Sequence, residues 1–599
     1  MSLQVWLTGN NSMNNQGLLG ELTQTTAPTY VDGKLGKAMS TGAYKMTAEQ
    51  TAQVLNNEAI SICFWVYINA DTGSTDNRVP FFGNDYWDSN TNNRKFTLYN
   101  YPTVNDFHWS WMNNTAGNSF AAGVLSGVLP SYKWTHVAIT YQNPNGTVYI
   151  NGEKAGAFTG VSNSSTFAYE TQVIHNSSYL RWNDYRIYNH CLSAKEVKEI
   201  SKGLVCHYPL KSQYETGQVN KYSGDVAEGY LTGSFTRTKL KGERGYNYKL
   251  SYTGTGDYSW PNMKAGNFYF TAGKRYYYSC KVRCHSTNFG LYLRASRSDN
   301  DWATNMADVL NPDGEWHEYV VYQTINETYD MDGSTVTCNP TLEFFSDNLS
   351  TPGKVYSADF DIKDIQVIES DCYVPFIDNN MVSNVVSDCS GYENHGTKVG
   401  NIVWKNDSPR YSGSYYFSTN AYIDCGTGGK IKDEITVNIW CHMDTWNDNI
   451  EFVCCAENGG WEIYNKNSHP TFDVFISDIG YVFASSSKLW SDLSSGWHMI
   501  TGSYDGFNAK LYIDGILESS VSSGKSSKTS IHYTSTNSIY IHAESRVPTP
   551  VTGYDACKLS DCRIYATALS EKDIKSLYNV SASICKTGVL SAYEFVEEG

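Results

Sequence analysis

Residues Thr135 to Tyr141 alternate in side-chain type, and Thr147 to Ile150 resume the alternation after Asn143-Pro144-Asn145-Gly146. Two period-two runs around turn-forming residues predict strand, turn, strand, an antiparallel hairpin. Asn151-Gly152 then offers a second tight turn, because Asn and Gly tolerate positive φ. Further on, Arg186-Ile187-Tyr188 predicts a short strand, and an acidic/basic amphipathic stretch follows Leu192-Ser193. Ser193 with Glu196 three residues later has the pattern of a capping box, so one short helix is expected there.

These patterns occur twice. WTHVAITYQNPNGTVYING, Trp134 to Gly152, returns as WHMITGSYDGFNAKLYIDG, Trp497 to Gly515. NDYRIYNHCLSAKEVKEI, Asn183 to Ile200, returns as SDCRIYATALSEKDIKSL, Ser560 to Leu577, with Ser570 and Asp573 as its capping pair. Ser61 to Trp65 is a weaker match to Thr436 to Trp440. The blocks keep their order, so one blueprint is used at least twice. Residues from about 212 to 370 match neither copy. Strands are expected there at Tyr276–Val282, Leu291–Ala295 and Phe360–Val367, with a turn at Asp313-Gly314 leading into another. Gly203 to Leu210 and Gly588 to Phe595 are apolar segments in equivalent places after the two helices. Each either closes its own sheet or begins the next module.

A hairpin that starts at tryptophan and ends in Tyr-Ile-Asn-Gly or Tyr-Ile-Asp-Gly, followed by Arg-Ile-Tyr and Leu-Ser, resembles the laminin-G-like, concanavalin-A-like jelly roll. Asp388-Cys389-Ser390-Gly391-Tyr392-Glu393-Asn394-His395-Gly396 is similar to the opening segment common in such domains, which the first copy lacks. The middle region resembles jelly-roll carbohydrate-binding modules, with Gly314-Glu315-Trp316 late and Ile362-Lys363-Asp364-Ile365-Gln366-Val367 closing it. The resemblance implies an all-β chain of three consecutive β-sandwiches. Two laminin-G-like units, 1–203 and 371–599 with a short C-terminal tail, flank a carbohydrate-binding-module-like jelly roll at 204–370. This fold hosts many unrelated tasks, so function must come from sites.

Composition narrows the choices. Aromatics at 14%, with 46 Tyr and 16 Trp, suit pleated half-buried surfaces and also supply stacking faces for sugars. A net charge of −16 without a basic cluster argues against nucleic-acid binding. No apolar run approaches the roughly 20 residues that span a bilayer, so no membrane role is expected. Met1 to Leu7 lacks a basic start and enters strand-like sequence at once, which argues against a secretory leader. The 15 cysteines do not repeat between copies: the counterpart of Cys63 is Asn438, and that of Cys191 is Ala568. Their spacings lack paired zinc-type CxxC units, so buried thiols in a reducing cytoplasm are expected.

Candidate chemistry is sparse. Retaining glycoside hydrolysis needs two carboxylates about 5 Å apart. No Glu-x-Asp-x-x-Glu string places them on one strand, and no Gly-x-Ser-x-Gly or His-Glu-x-x-His motif is present, so no enzyme is expected. Asp184 and Asp561 recur with Arg186 and Arg563; some laminin-G-like domains hold calcium with an acidic residue, while an ion pair or turn anchor that fixes the last strand is the favoured explanation of the repeat. Aromatic clusters are the main ligand-binding candidates: Tyr86, Trp87, Trp109 and Trp111 in the first unit, Trp260 and Trp302 in the middle, Trp446 and Trp461 in the last. Trp87 leads, because Asp85, Asp88, Asn90 and Asn92 surround it in a polar loop. Strings at the start, middle and end are similar to virion proteins of tailed phages of gut bacteria. That resemblance implies a tail, fibre or head appendage, assembled in the host cytoplasm, that binds host-surface glycans and other virion proteins and forms a homo-oligomer. A purely structural decoration protein and a polysaccharide depolymerase are the alternatives.

Overall fold

The computed structural model describes residues 3–69, 79–83, 96–101, 106–113, 119–159, 169–219, 221, 235–241, 245–257, 262–264, 268–270, 274–296, 305–324, 336–338, 341–346, 348–411, 413–444, 450–546 and 549–579. The fold is all-β and divides into two compact units. One comprises residues 1–210, 386–401 and 417–599, and the other residues 211–385 and 402–416.

The first unit holds both copies of the repeat. In the first copy the strands that matter here are β1 (Leu3–Leu7), β2 (Ala59–Ile68), β3 (Trp134–Gln142), β4 (Asn145–Ile150), β5 (Glu153–Phe158) and β6 (Leu180–Tyr188), followed by helix α1 (Ala194–Ser201). They lie in the order β5-β4-β3-β2-β6, with β1 also on β6. The second copy uses β7 (Leu204–Tyr208), β8 (Ile435–His442), β9 (Glu451–Cys454), β10 (Trp461–Lys466), β11 (His469–Ile476), β12 (Gly480–Ser485), β13 (His498–Tyr504), β14 (Asn508–Ile513), β15 (Ile516–Ser522) and β16 (Cys557–Tyr565), then helix α2 (Glu571–Asn579). Its sheet runs β16-β8-β13-β14-β15, with β7 on β16, which is the first copy's topology again.

The hairpins form as the alternation predicts. Asn151 and Gly152 have φ of 51° and 80°, and Asp514 and Gly515 have 52° and 76°, so both copies turn through two left-handed residues. Such a turn matches the right-handed twist of the flanking strands. The capping box is also present. Ser193 N donates to Glu196 Oε2 at 2.6 Å, and Glu196 N donates to Ser193 Oγ at 3.3 Å. Replacing Ser193 with alanine is expected to cost about 1 kcal/mol, measured as a lowered thermal midpoint.

The segment Leu204–Tyr208, grouped with the middle module on sequence, instead pairs with β16 of the second copy. It is the counterpart of β1. Trp6 lies opposite Arg186, and His207 lies opposite Arg563. The middle region is therefore inserted, in chain order, between the first strand of the second copy and the rest of that copy.

The opening segment also has a counterpart in the first copy, contrary to expectation. In the second copy, Asp388 Oδ1 accepts from His207 N and Ser390 N, and Asn394 Nδ2 donates to Val205 O. In the first copy, Asn15 Oδ1 accepts from Trp6 N and Gly17 N, and Asn15 Nδ2 donates to Gln4 O. One amide does the work of two residues, because it carries both an acceptor and a donor. The bonds repeat although the residues do not, which is why sequence comparison passes over it.

The inserted unit is a separate β-structure. Five strands run in the order 235–239, 246–253, 355–369, 275–287, 316–324, and four run 262–264, 341–346, 291–296, 305–309. All the strands expected in this region are present. Tyr248, Tyr276, Tyr278, Phe360, Ile362 and Val367 form its core. Thirteen of the cysteines are free thiols, ten of them buried. No helix among the described residues is long and apolar enough to cross a membrane.

Candidate functional site

Several sequence candidates turn out to be structural. Trp109 is 5% exposed and packs into the core of the first sandwich between Phe107 and Phe158. Gly123 on the neighbouring strand makes room for it, since a Cβ there would lie 1.9 Å from the indole. Trp461 is fully buried, because it shares the inward face of β10 with Ile463. Neither ring is available to stack on a ligand. Trp111 lies on strand Asp106–Asn113, opposite Phe96 and Ala121. Tyr86, Trp87, Trp260, Trp302 and Trp446 lie outside the described residues.

Asp184 and Asp561 hold arginines. Arg186 Nε donates to Asp184 Oδ1 at 2.7 Å, and Trp6 Nε1 donates to the same oxygen at 2.8 Å. In the second copy Arg563 Nε and a terminal guanidinium nitrogen reach the two oxygens of Asp561 at 2.7 and 2.9 Å. His207 Nε2 completes the set at 3.0 Å. Burial opposes ionisation of Asp561, but Arg563 and His207 outweigh it and hold the carboxyl well below the usual range. Burial and Arg563 lower the His207 pKa, and its Nε2 lies against a carboxylate oxygen, which can only accept. Both aspartates have left-handed φ, 53° and 48°, which turns each carboxylate back onto the arginine two residues on. A cation at either place would have to displace a buried guanidinium.

Another constellation forms on the second sheet of the second copy. Strand β10 turns Trp461 and Ile463 inward, leaving Glu462, Tyr464 and Lys466 on its other face by strict alternation. The register sets Cys454 opposite Glu462, Glu462 opposite Asp473, and Asp473 opposite Phe483. Glu451 faces Tyr464 one step along. Four neighbouring strands thus carry one row of thiol, carboxyl, carboxyl and phenyl.

Glu462, Asp473 and Phe483 of this row line a pocket of about 340 Å³ together with Tyr464, Lys466, Tyr481, Glu457, Asn458 and Glu544. Tyr481 and Phe483 stack at 5.9 Å, and Lys466 Nζ lies 2.7 Å from the Phe483 ring centre. Arg546 pairs with Glu457 and Glu544 at the rim. Burial pushes the Glu462 carboxyl up to about 7, and burial together with Glu462 pushes Asp473 up strongly. Burial, reinforced by Glu462 and Glu544, also raises Glu451. Carboxyls this close cannot all ionise without a proton or another positive charge between them. The pocket therefore combines proton-holding carboxyls, amide and phenol hydrogen-bonding groups and a stacked aromatic pair. That combination can grip a polyhydroxylated ligand by its hydroxyls and its C–H faces.

Sequence reasoning sought carboxylates along one strand, whereas these face each other across strands. The signal present was the acid–aromatic–base alternation Glu462-x-Tyr464-x-Lys466, which places charge on a strand face without saying what lies opposite.

A family model described as the concanavalin A-like lectin/glucanases superfamily matches residues 40–198 and 417–575. No curated protein matches the chain. Among solved structures, the chain is similar to domain 4 of a GH43 extracellular arabinanase from Geobacillus stearothermophilus, determined with arabinotriose. The two are 14% identical, with 32% of this chain and 92% of that one covered, at a TM-score of 0.26. It is also similar to the receptor-binding domain of a botulinum neurotoxin C/D mosaic serotype, at 12% identity over 46% and 74% of the two chains and a TM-score of 0.28. A Trypanosoma rangeli sialidase matches at 15% identity over 33% and 32%, with a TM-score of 0.25; this chain spans about a third of that enzyme.

Proposed function

The chain belongs to the concanavalin A-like lectin/glucanases superfamily, and from that premise we propose that it is a glycan-binding protein whose second sandwich takes a saccharide in the Glu462–Phe483 pocket. The carrying observation is the aromatic pair Tyr481 and Phe483 beside the carboxyl row of Glu462 and Asp473 in one pocket. Sugar rings present C–H faces for the aromatics and hydroxyl donors for the carboxyls. Small-molecule sites typically combine such apolar walls with a few convergent polar groups.

The wider reading is a tailed-phage virion appendage that adsorbs to host-surface glycans. It is supported by the likeness of the terminal and middle strings to phage virion proteins and by a blueprint used twice, which suits multivalent capture.

The test is a glycan array followed by titration of intact host cells, with and without EDTA. Saturable binding is expected, and Phe483→Ala is expected to weaken it at least about tenfold, a change of about 1.4 kcal/mol. Trp461→Phe, a core change, should leave affinity unaltered. EDTA sensitivity would reveal a cation requirement such as calcium. No binding by a folded chain would redirect the proposal to a structural virion role. Release of reducing ends that Glu462→Gln abolishes would redirect it to hydrolysis by the carboxyl pair.

A further inference from the structure

Next to the proposed saccharide pocket, Glu451, Cys454, Glu462 and Asp473 come together across three strands. Single ligand atoms of Glu451, Cys454 and Glu462 all lie within 4.8 Å of one another. Cys454 Sγ is 3.7 Å from Glu462 Oε2. Glu451 is 3% exposed and Asp473 is fully buried. Neither oxygen of Asp473 accepts a well-formed hydrogen bond, and neither does Oε1 of Glu451. The groups that Asp473 meets are the Glu462 carboxyl and the Tyr464 phenol. Of the nearby basic side chains, Lys466 lies over the Phe483 ring and reaches Asp473 only through its charge, and Arg546 pairs with Glu457 and Glu544. A buried polar group without a partner is costly, and three carboxyls converging without a cation are more so.

We propose that Glu451, Cys454, Glu462 and Asp473 form a binding site for a first-row divalent cation, zinc being the best fit. One thiolate and two or three carboxylates make a donor set that zinc accepts in tetrahedral geometry. Calcium takes oxygen ligands and gains nothing from the sulfur. Tetrahedral zinc holds its ligand atoms about 3.3–3.8 Å apart, given bonds of about 2.0–2.3 Å, so small rotamer changes close the observed spread. The backbone N–H groups of Ala456 and Ser545 point at Cys454 Sγ from 3.2 and 3.3 Å, placing two donors beside the sulfur. A single proton can relieve one carboxyl pair, whereas one cation engages Glu451, Cys454 and Glu462 together, with Asp473 beside Glu462. Cation binding displaces protons from the thiol and carboxyls into solvent. The adjacent Cys454-Cys455 lacks zinc-type spacing; the site becomes visible only when β9, β10 and β11 lie side by side.

The inference does not depend on the saccharide reading, because its test uses no glycan. The full chain, stripped with EDTA, is titrated with Co²⁺ as a spectroscopic stand-in and then with Zn²⁺. A sulfur-to-cobalt charge-transfer band saturating at one equivalent is expected, lost on adding Zn²⁺ and unaffected by Ca²⁺. Cys454→Ser should remove the band and one equivalent of bound zinc. Glu451→Gln, which keeps the thiol and the side-chain volume, should weaken zinc at least tenfold. Proton release on binding, read as a buffer-dependent heat, should shrink in both variants. The proposal is overturned if both variants bind the same number of zinc ions with the same affinity as the original chain. It is also overturned if Ca²⁺ occupies the site and zinc does not.

Discussion

Arg563→Met is expected to destabilise the second sandwich by about 3–5 kcal/mol, the range for breaking one half of a buried ion pair. Arg563 is 1% exposed and gives two hydrogen bonds to Asp561. Removing it leaves the buried Asp561 carboxylate without its guanidinium partner. The double variant Asp561→Asn, Arg563→Met should recover at least half of the loss, because no uncompensated charge remains and asparagine tolerates the left-handed φ of 48° at that position. The pH dependence supplies a second readout. Asp561 is held below its unfolded value, so its contribution is complete above about pH 4 and is lost as pH falls through the folded value. In Arg563→Met the buried carboxyl favours the protonated form, so the sign reverses and acidification should partly restore stability. Calorimetry of the unfolding transition from pH 3 to pH 7 measures both effects. Equal losses in the single and double variants would contradict the account.

Trp6→Ala is expected to cost about 3–5 kcal/mol, as for other large aromatic truncations in a core. Trp6 is fully buried and serves both copies. Its Nε1 donates to Asp184, the Arg186 guanidinium lies 4.3 Å from its ring, and the Tyr392 ring meets it edge-on at 6.2 Å. Gly391 makes that approach possible, since a Cβ there would lie 1.9 Å from the indole. The change thus opens a cavity where the first copy meets the opening segment of the second. Trp6→Phe retains a ring and loses the N–H, so about 1–2 kcal/mol is expected. Denaturant titration separates the two. If Trp6→Ala and Trp6→Phe were equally costly, the hydrogen bond to Asp184 would dominate over packing.

The legibility of the chain followed the range of the interactions. The Asn151-Gly152 and Asp514-Gly515 turns and the Ser193–Glu196 cap depend on residues within three positions of each other, and all form as expected. The assignment of Leu204–Tyr208 required knowing that it pairs with Cys557–Tyr565, more than 300 residues away. The opening segment of the first copy was hidden because Asn15 replaces both Asp388 and Asn394. Trp109 and Trp461 were candidate platforms because a tryptophan on a strand reads the same on either face until its neighbours are known. In the structure, Gly123 and the inward phase of Trp461 put both rings in the core.

By itself the sequence determined the all-β architecture, the twofold use of one blueprint and the repeated Asp-x-Arg block, because period-two alternation, turn chemistry and recurrence are properties of neighbouring residues. The tertiary structure decided which strands lie side by side, and with that the chemistry. Glu451, Cys454, Glu462, Asp473 and Phe483 are spread over 33 positions of chain and come together only through the registers of four adjacent strands. Strand register is set by the burial of whole faces and by the turns between strands, so no single segment carries it.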